Sequence, residues 1–182
     1  MSTAFLTGRF VVATPALTDG NFAHTVVLLL EHKTDGAVGV VVNRATDAAL
    51  SVALPRWATL AAEPAVVFAG GPVQPDALIG LARTYGPPEG DGLAAIFPGV
   101  GVVDLSADPT LLGAAIAGVR VFAGYAGWGG GQLETEIAAG SWFVVDARAE
   151  DVFTEAPGAL WRGVLRRQGG VFTTIPADPT AN

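Results

Sequence analysis

Cysteine is missing from this 182-residue chain, which also holds one lysine, one methionine and two histidines. Without cysteine there are no disulfides, thiolate nucleophiles, iron–sulfur clusters or zinc-finger sites. The two histidines, His24 and His32, form neither an HxH nor an HxxxH pattern. We therefore predict no structural metal and, because the sequence carries no complete cofactor motif, no cofactor.

Long apolar runs and a leader pattern are also missing. No apolar run approaches the roughly 18 residues that a membrane-spanning helix needs. The N-terminal sequence MSTAFLTGRF has no basic start followed by an apolar stretch, which is the pattern of a secretory signal. These absences predict a cytoplasmic protein that does not bind membranes.

Basic side chains are scarce, since ten Lys and Arg stand against 17 Asp and Glu, for a net charge of −7. This balance disfavours nucleic acid as a direct partner, because binding to its phosphates depends on clustered positive charge. The one basic cluster, Arg162, Arg166 and Arg167, falls in the second half of a predicted helix. Cations stabilise that end of a helix, so the cluster has a structural explanation.

Apolar residues, by contrast, are plentiful. They make up 51% of the chain while charged residues make up 15%, which supports a sizeable core and excludes global disorder. The length suits one domain, and neither a repeat nor a linker divides the chain. We predict a single domain over residues 1–182, with the polar tail at 176–182 frayed.

The order of the predicted elements favours an α+β fold with a mostly antiparallel, curved sheet and flanking helices. Residues 25–32 and 37–43 are rich in β-branched residues and flank Asp35-Gly36, which is typical of a tight hairpin. The continuous apolarity of residues 26–30 predicts that both faces of this strand are covered. Further strands are predicted at 8–13, 65–69, 78–83, 93–97 and 101–105, and helices at 47–62 (interrupted by Pro55), 108–118 and 157–168.

A glycine-rich corner at residues 127–131 joins a predicted strand to a short helix and a further strand, within residues 119–146. Packing accounts for the glycines and for Leu133 and Ile137, which share one helix face. It does not explain why Tyr125, Trp128 and Gln132 cluster there, since large side chains on a corner need a partner surface. The corner is therefore either packing alone or a ligand or partner site.

A second polar group surrounds the hairpin. Thr14, Asp19 and Asn21 lie in a turn-rich loop, His32 ends the first hairpin strand, and Asn43-Arg44 ends the second. His32 and Asn43 fall at opposite ends of the hairpin, so they are not expected to touch. Asx turns and hairpin closure explain this group without a function.

No standard catalytic signature is complete. The four serines stand outside GxSxG, and a Walker A motif is absent. The glycine corner departs from GxGxxG because Gln132 stands where the last glycine is required. Glu134 and Glu136 would also repel a phosphate at the start of the helix. The sequence thus favours binding over catalysis.

Several segments together resemble one bacterial family. They are GRFVVATPALTDGNFAHTVVLLLEH (8–32), GAVGVVVNR (36–44), GGPV (70–73), GYAGWGGGQLETEI (124–137) and GSW (140–142). The long run at 124–137 is unusual, and over nearly its whole length the chain resembles the YqgE/AlgH family. The resemblance implies a bifurcated sheet curled into a pseudo-barrel with helices outside. It implies no established activity or catalytic residues, although one member is named a regulator of transcription for alginate synthesis.

Two hypotheses follow. In the first, the protein is a non-enzymatic regulatory or interaction protein that affects transcription indirectly, with the corner anchoring an unidentified partner. In the second, it is a small-molecule-binding protein or a hydrolase of unrecognised type, with Glu134 as the one proton acceptor of its site. The candidate ligand or partner residues are Thr14, Asn43, Tyr125, Trp128, Gln132 and Glu134.

Overall fold

The computed structural model describes residues 5–88 and 90–169, which form ten strands and several short helices around one curled sheet. The predicted frayed tail at 176–182 lies outside the described residues. The strands are β1 (Phe10–Ala13), β2 (Val26–Lys33), β3 (Gly36–Val41), β4 (Ala45–Ala49), β5 (Val66–Ala69), β6 (Val73–Thr84), β7 (Leu93–Phe97), β8 (Val100–Val103), β9 (Ile116–Gly129) and β10 (Trp142–Val145).

The sheet follows the order β10-β1-β2-β3-β9-β6-β8-β7 and divides along β9. One edge of β9 pairs antiparallel with β6. Its other edge pairs parallel with β5 at residues 121–123 and antiparallel with β3 at residues 126–129. Because β5 in turn pairs with β4, two arms leave β9 on the same side. The result is a single-domain α+β fold whose mostly antiparallel sheet is curled into a half-barrel. This confirms the predicted fold class.

The hairpin formed by β2 and β3 confirms the turn predicted at Asp35-Gly36. Along β2, Val26 and Leu28 join one buried cluster, whereas Val27 and Leu29 join another on the opposite face. Both faces of β2 are therefore covered, as continuous apolarity predicts for a strand inside a layered fold.

The helices are short. They are α1 (Leu50–Ala53), α2 (Pro109–Leu112), α3 (Gln132–Ala138), α4 (Ala149–Val152) and α5 (Leu160–Arg167), with 3₁₀ segments at Pro55–Leu60 and Pro157–Ala159. Helices α4 and α5 cover the cluster on one face of β1 and β2, and α3 covers the other. Within the part of the chain that the structure describes, no helix has the length and apolarity that crossing a bilayer requires.

The helical prediction for residues 47–62 starts too early. Residues 45–49 form β4, since the Thr46 hydroxyl donates to the Val67 carbonyl oxygen and Ala45 pairs with Phe68. Pairing with β5 thus uses the Thr46 hydroxyl, which could otherwise cap a helix. The two short helical segments then follow on either side of Leu54, consistent with the predicted break at Pro55.

The helix predicted at 108–118 is correct at its start and wrong at its end. Asp108 caps α2 by accepting from the Thr110 amide at 3.0 Å, and Pro109 occupies the first turn. The helix stops at Leu112, and β9 begins at Ile116, which is buried and pairs with Thr84. Tertiary pairing with β6 thus overrides local helix propensity. Strand β6 itself is longer than the 78–83 predicted, because it starts at Val73.

Arg120 is a buried cation in the centre of β9, with 1% of its surface exposed. Its guanidinium donates to the carbonyl oxygens of Val152 (2.9 Å) at the end of α4 and Thr154 (2.9 Å) just after it, and to that of Glu63 (2.7 Å) before β5. It also lies 4.4 Å over the Phe68 ring. Burial lowers the pKa of Arg120 to about 10. One side chain therefore ties two connecting segments to the central strand.

Candidate functional site

The glycine corner is a tight turn between β9 and α3, packed against the β2–β3 hairpin. Gly131 has a φ of 76°, a conformation that glycine adopts without strain. A side chain at Gly130 would meet the Thr34 carbonyl oxygen at 2.9 Å. The glycines therefore let the corner and the hairpin turn approach each other closely.

Glu136 on α3 is the hydrogen-bond centre of this corner. Its Oε1 accepts from the indole nitrogens of Trp128 (3.1 Å) and Trp142 (3.0 Å), and its Oε2 accepts from the Gln132 amide at 2.9 Å. The Gln132 Oε1 in turn accepts from the Gly129 backbone amide at 2.9 Å. The polar ends of both tryptophans are thus held inside the protein, as buried indoles require.

An aromatic cluster fills the space beside this network. The Phe22 ring stacks on Trp128 with centroids 6.2 Å apart and meets the edge of Trp142 at 5.6 Å. The rings of Trp128 and Trp142 are themselves edge-to-face at 5.8 Å. Trp128 is therefore packed against the protein's own side chains, which answers the question of what surface it contacts.

Glu134 pairs with His32, whose ring is buried. The His32 Nδ1 accepts from the Leu6 backbone amide at 3.0 Å, so the ring proton lies on Nε2 and is donated to Glu134 Oε1. The Phe5 ring packs edge-on against His32 with centroids 5.4 Å apart. Hairpin closure is the role expected of His32 from the sequence. The structure shows in addition that the contact between His32 and Glu134 attaches α3 to β2.

The structure separates the six residues proposed from the sequence. Trp128, Gln132 and Glu134 lie together in the corner, while Tyr125 packs against the cluster beneath α4 and α5. The buried Thr14 donates to the Gly140 carbonyl oxygen at 2.7 Å, next to β10. Asn43 lies at the other end of the hairpin, as predicted. A ligand or partner role for these six residues stays a prediction.

Asn43 instead borders a cavity of about 420 Å³, called the basic cavity below, between the ends of the hairpin and α5. Its main lining residues are Ala23, His24, Asn43, Arg44, Trp161 and Arg162. None of its lining residues is acidic. In a chain with a net charge of −7, a concavity with two arginines and a histidine stands out as a candidate binding site.

Arg44 and Arg162 carry the charge of the basic cavity. Arg44 is half-buried and donates to the carbonyl oxygens of Gly20, Asn21 and Ala23. Burial lowers the pKa of Arg44, an effect that the nearby Asp19 opposes. Over the described residues, neither Arg44 nor Arg162 forms a salt bridge. No salt-bridged carboxylate neutralises either guanidinium there, although the charge of Asp19 acts on Arg44 from a longer distance.

His24 is held in an unusual backbone conformation at the rim of the basic cavity. Its φ is 60°, which few residues other than glycine adopt, and its ring lies 4.4 Å from that of Trp161. The Asn43 side chain fixes the position by donating to the His24 carbonyl oxygen (2.9 Å) and accepting from the Val26 amide (3.0 Å). A strained residue with this support is typical of a binding site.

Sequence patterns had pointed to some of these residues for other reasons. The sequence explains Trp161 by its apolar helix face and Arg162 by a place in the second half of a helix. The second explanation is wrong for Arg162, because α5 begins at Leu160 and places Arg162 in its first turn. Trp161 and Arg162 come close to His24 because α5 packs over the hairpin, from which it is separated by more than 100 residues in sequence. No local sequence pattern encodes this contact. Across residues 5–88 and 90–169, no group of three or more carboxylate or imidazole side chains is arranged to hold a metal ion.

Several proteins from other bacteria are similar to this chain over nearly its whole length. A UPF0301 protein of Streptomyces coelicolor is 49% identical over 184 residues, covering 97% of this chain and 95% of that protein. A UPF0301 protein of Thermobifida fusca is 44% identical, covering 97% and 96%. One from Mycobacterium tuberculosis is 42% identical, covering 96% and 90%.

Solved structures agree with these relationships. A crystal structure of a protein from Corynebacterium diphtheriae has a TM-score of 0.88 at 30% identity, covering 94% of this chain and 92% of that one. The solution structure of the AlgH protein from Pseudomonas aeruginosa has a TM-score of 0.69 at 29% identity, covering 97% of each chain. A family model described as AlgH-like matches residues 10–173. With these matches over nearly its full length, the chain belongs to the AlgH-like family.

Proposed function

We propose that this chain is a non-enzymatic regulatory protein that works in the cytoplasm by binding a small molecule or a protein partner. The observation that carries the proposal is that the pair formed by His32 and Glu134 is used to hold the fold together. Both ring nitrogens of His32 are occupied, by Leu6 and by Glu134, and 1% of the side chain is exposed. A general base must reach a substrate proton, which the buried His32 cannot do. Glu134 has 35% of its side chain exposed, but its Oε1 is already bonded to His32, so the pair favours binding over turnover.

The second support is the basic cavity, which has binding groups without catalytic ones. Its lining residues include arginine, asparagine and histidine side chains and no carboxylate, serine or cysteine. Cations and amides recognise and orient a ligand, whereas covalent catalysis needs a nucleophile and an activating base. Such a lining suits reversible binding.

A thermal-shift screen against metabolites, followed by mass spectrometry of the hits, tests this role. We expect at least one compound to raise the melting temperature, because a ligand selective for the folded state stabilises it. We expect the same compound to be recovered unchanged after long incubation with the protein. Conversion of a hit into product, abolished by Glu134→Gln, would support the hydrolase alternative and contradict the proposal.

Any effect on transcription is proposed to be indirect. We expect fluorescence anisotropy to show no binding of the protein to duplex DNA at physiological salt, because its net charge is −7 and phosphate contacts need basic side chains. The Arg162→Gln variant serves as a control that removes one of three helix arginines. Micromolar binding that weakens steeply with salt, and further in that variant, would show direct DNA recognition.

A further inference from the structure

We propose that the basic cavity is a binding site for a small organic phosphate monoester, with the phosphate held by Arg162, Arg44 and His24. This inference rests on the binding role proposed above and names the class of ligand. The family match covers the residues but assigns no ligand to them. The support comes from the charge, the preorganisation and the size of the cavity.

The charge of the cavity fits a doubly charged anion. Two guanidinium groups and an imidazole line it, and no acidic residue does. Guanidinium groups present planar, forked donors that match phosphate oxygens and strengthen the contact by charge. Arg162 makes no salt bridge in the described part of the chain, so its donors are available for a bound phosphate.

The cavity is also preorganised. Arg44 is fixed by its bonds to the carbonyl oxygens of Gly20, Asn21 and Ala23, and Asn43 fixes His24 in its left-handed conformation. Groups that are already in place lose little entropy when a ligand arrives. An anion would also offset the cost of burying the Arg44 charge, which Asp19 offsets only in part. The site therefore favours the negatively charged ligand over water.

The size and the walls of the cavity call for an organic group beside the phosphate. At about 420 Å³ the cavity lies in the range of sites for small organic ligands and is larger than a bare phosphate needs. Ala23, Ala159 and the His24 ring, itself supported on Trp161, supply a flat, weakly polar wall. Such a wall suits a compact planar group, for which an aromatic ring is the simplest probe.

Calorimetric titration with phenyl phosphate, inorganic phosphate and phenol tests the inference. We expect the wild-type protein to bind phenyl phosphate more tightly than inorganic phosphate, with phenol binding weakest of the three. We expect Arg162→Gln to weaken binding of phenyl phosphate about tenfold or more, because one charge-assisted contact to the phosphate is lost. Arg166→Gln, an exposed arginine one turn further along α5, removes the same charge and is expected to change the affinity less than about twofold.

Both variants alter surface-facing arginines outside the core, so their melting temperatures check that folding is intact. Equal weakening in the two variants would show a general charge effect and overturn the assignment. Inorganic phosphate binding as tightly as phenyl phosphate would overturn the organic part of it. If phenyl phosphate does not bind while another compound class from the metabolite screen does, the phosphate assignment fails and the proposed binding role stands.

Discussion

Replacing Arg120 with methionine is expected to lower the free energy of unfolding by about 3–5 kcal/mol, the largest effect that we predict for a single side chain. The guanidinium is buried and satisfies the carbonyl oxygens of Val152, Thr154 and Glu63. Methionine fills a similar volume but leaves these acceptors without donors, and an unsatisfied buried group costs about 1–3 kcal/mol. Chemical denaturation followed by tryptophan fluorescence measures the change.

Two further variants show whether the donors of Arg120 or its charge matter. Arg120→Lys keeps the positive charge with a single donor group, so its stability is expected to fall between wild type and Arg120→Met. Arg166→Met removes an exposed arginine from α5 and is expected to change stability by less than about 0.5 kcal/mol. A loss below about 1 kcal/mol for Arg120→Met would contradict the role of Arg120 as a tie between β9 and its neighbouring segments.

Replacing Glu136 with alanine is expected to destabilise the protein by about 2–4 kcal/mol, because two buried indole N–H groups lose their acceptor. Trp128 and Trp142 are 6% and 3% exposed, so water cannot readily take the place of the carboxylate. The aromatic cluster with Phe22 should loosen as a result. Thermal unfolding and near-ultraviolet circular dichroism together report both changes.

Glu136→Gln keeps one acceptor oxygen at the same position and is expected to retain more of the stability than Glu136→Ala. Glu155→Ala removes an exposed carboxylate after α4 and should leave both the melting temperature and the near-ultraviolet spectrum unchanged. If Glu136→Ala resembled Glu155→Ala in both measurements, the corner network would have no structural role.

Local patterns were sufficient for much of the fold. Runs of β-branched and continuously apolar residues predicted β2 and β3, and Asp35-Gly36 predicted the turn between them. Local patterns failed where pairing to a distant strand decides the conformation. Residues 45–49 and 116–118 are strand because β5 and β6 lie beside them, whatever their helix propensity.

The candidate site was harder to predict because its parts come from distant segments. The corner showed Trp128, Gln132 and Glu134, yet the acceptor of Trp128, Glu136, was seen only as a charge near the start of a helix. The contact of His32 with Glu134 spans 102 positions. The basic cavity joins His24 and Arg44 to Arg162 through the packing of α5, and such long-range geometry leaves no local periodicity.

The four tryptophan indole groups provide the most direct test of ligand binding at the basic cavity. Trp161 lines the cavity, Trp128 and Trp142 report on the glycine corner, and Trp57 is bonded elsewhere, to the Leu105 carbonyl oxygen. In a ¹⁵N-labelled protein titrated with phenyl phosphate, we predict a saturable shift of the Trp161 indole signal and a stationary Trp57 signal. A Trp161 signal that stays in place throughout the titration, whether or not the corner signals move, would contradict the account.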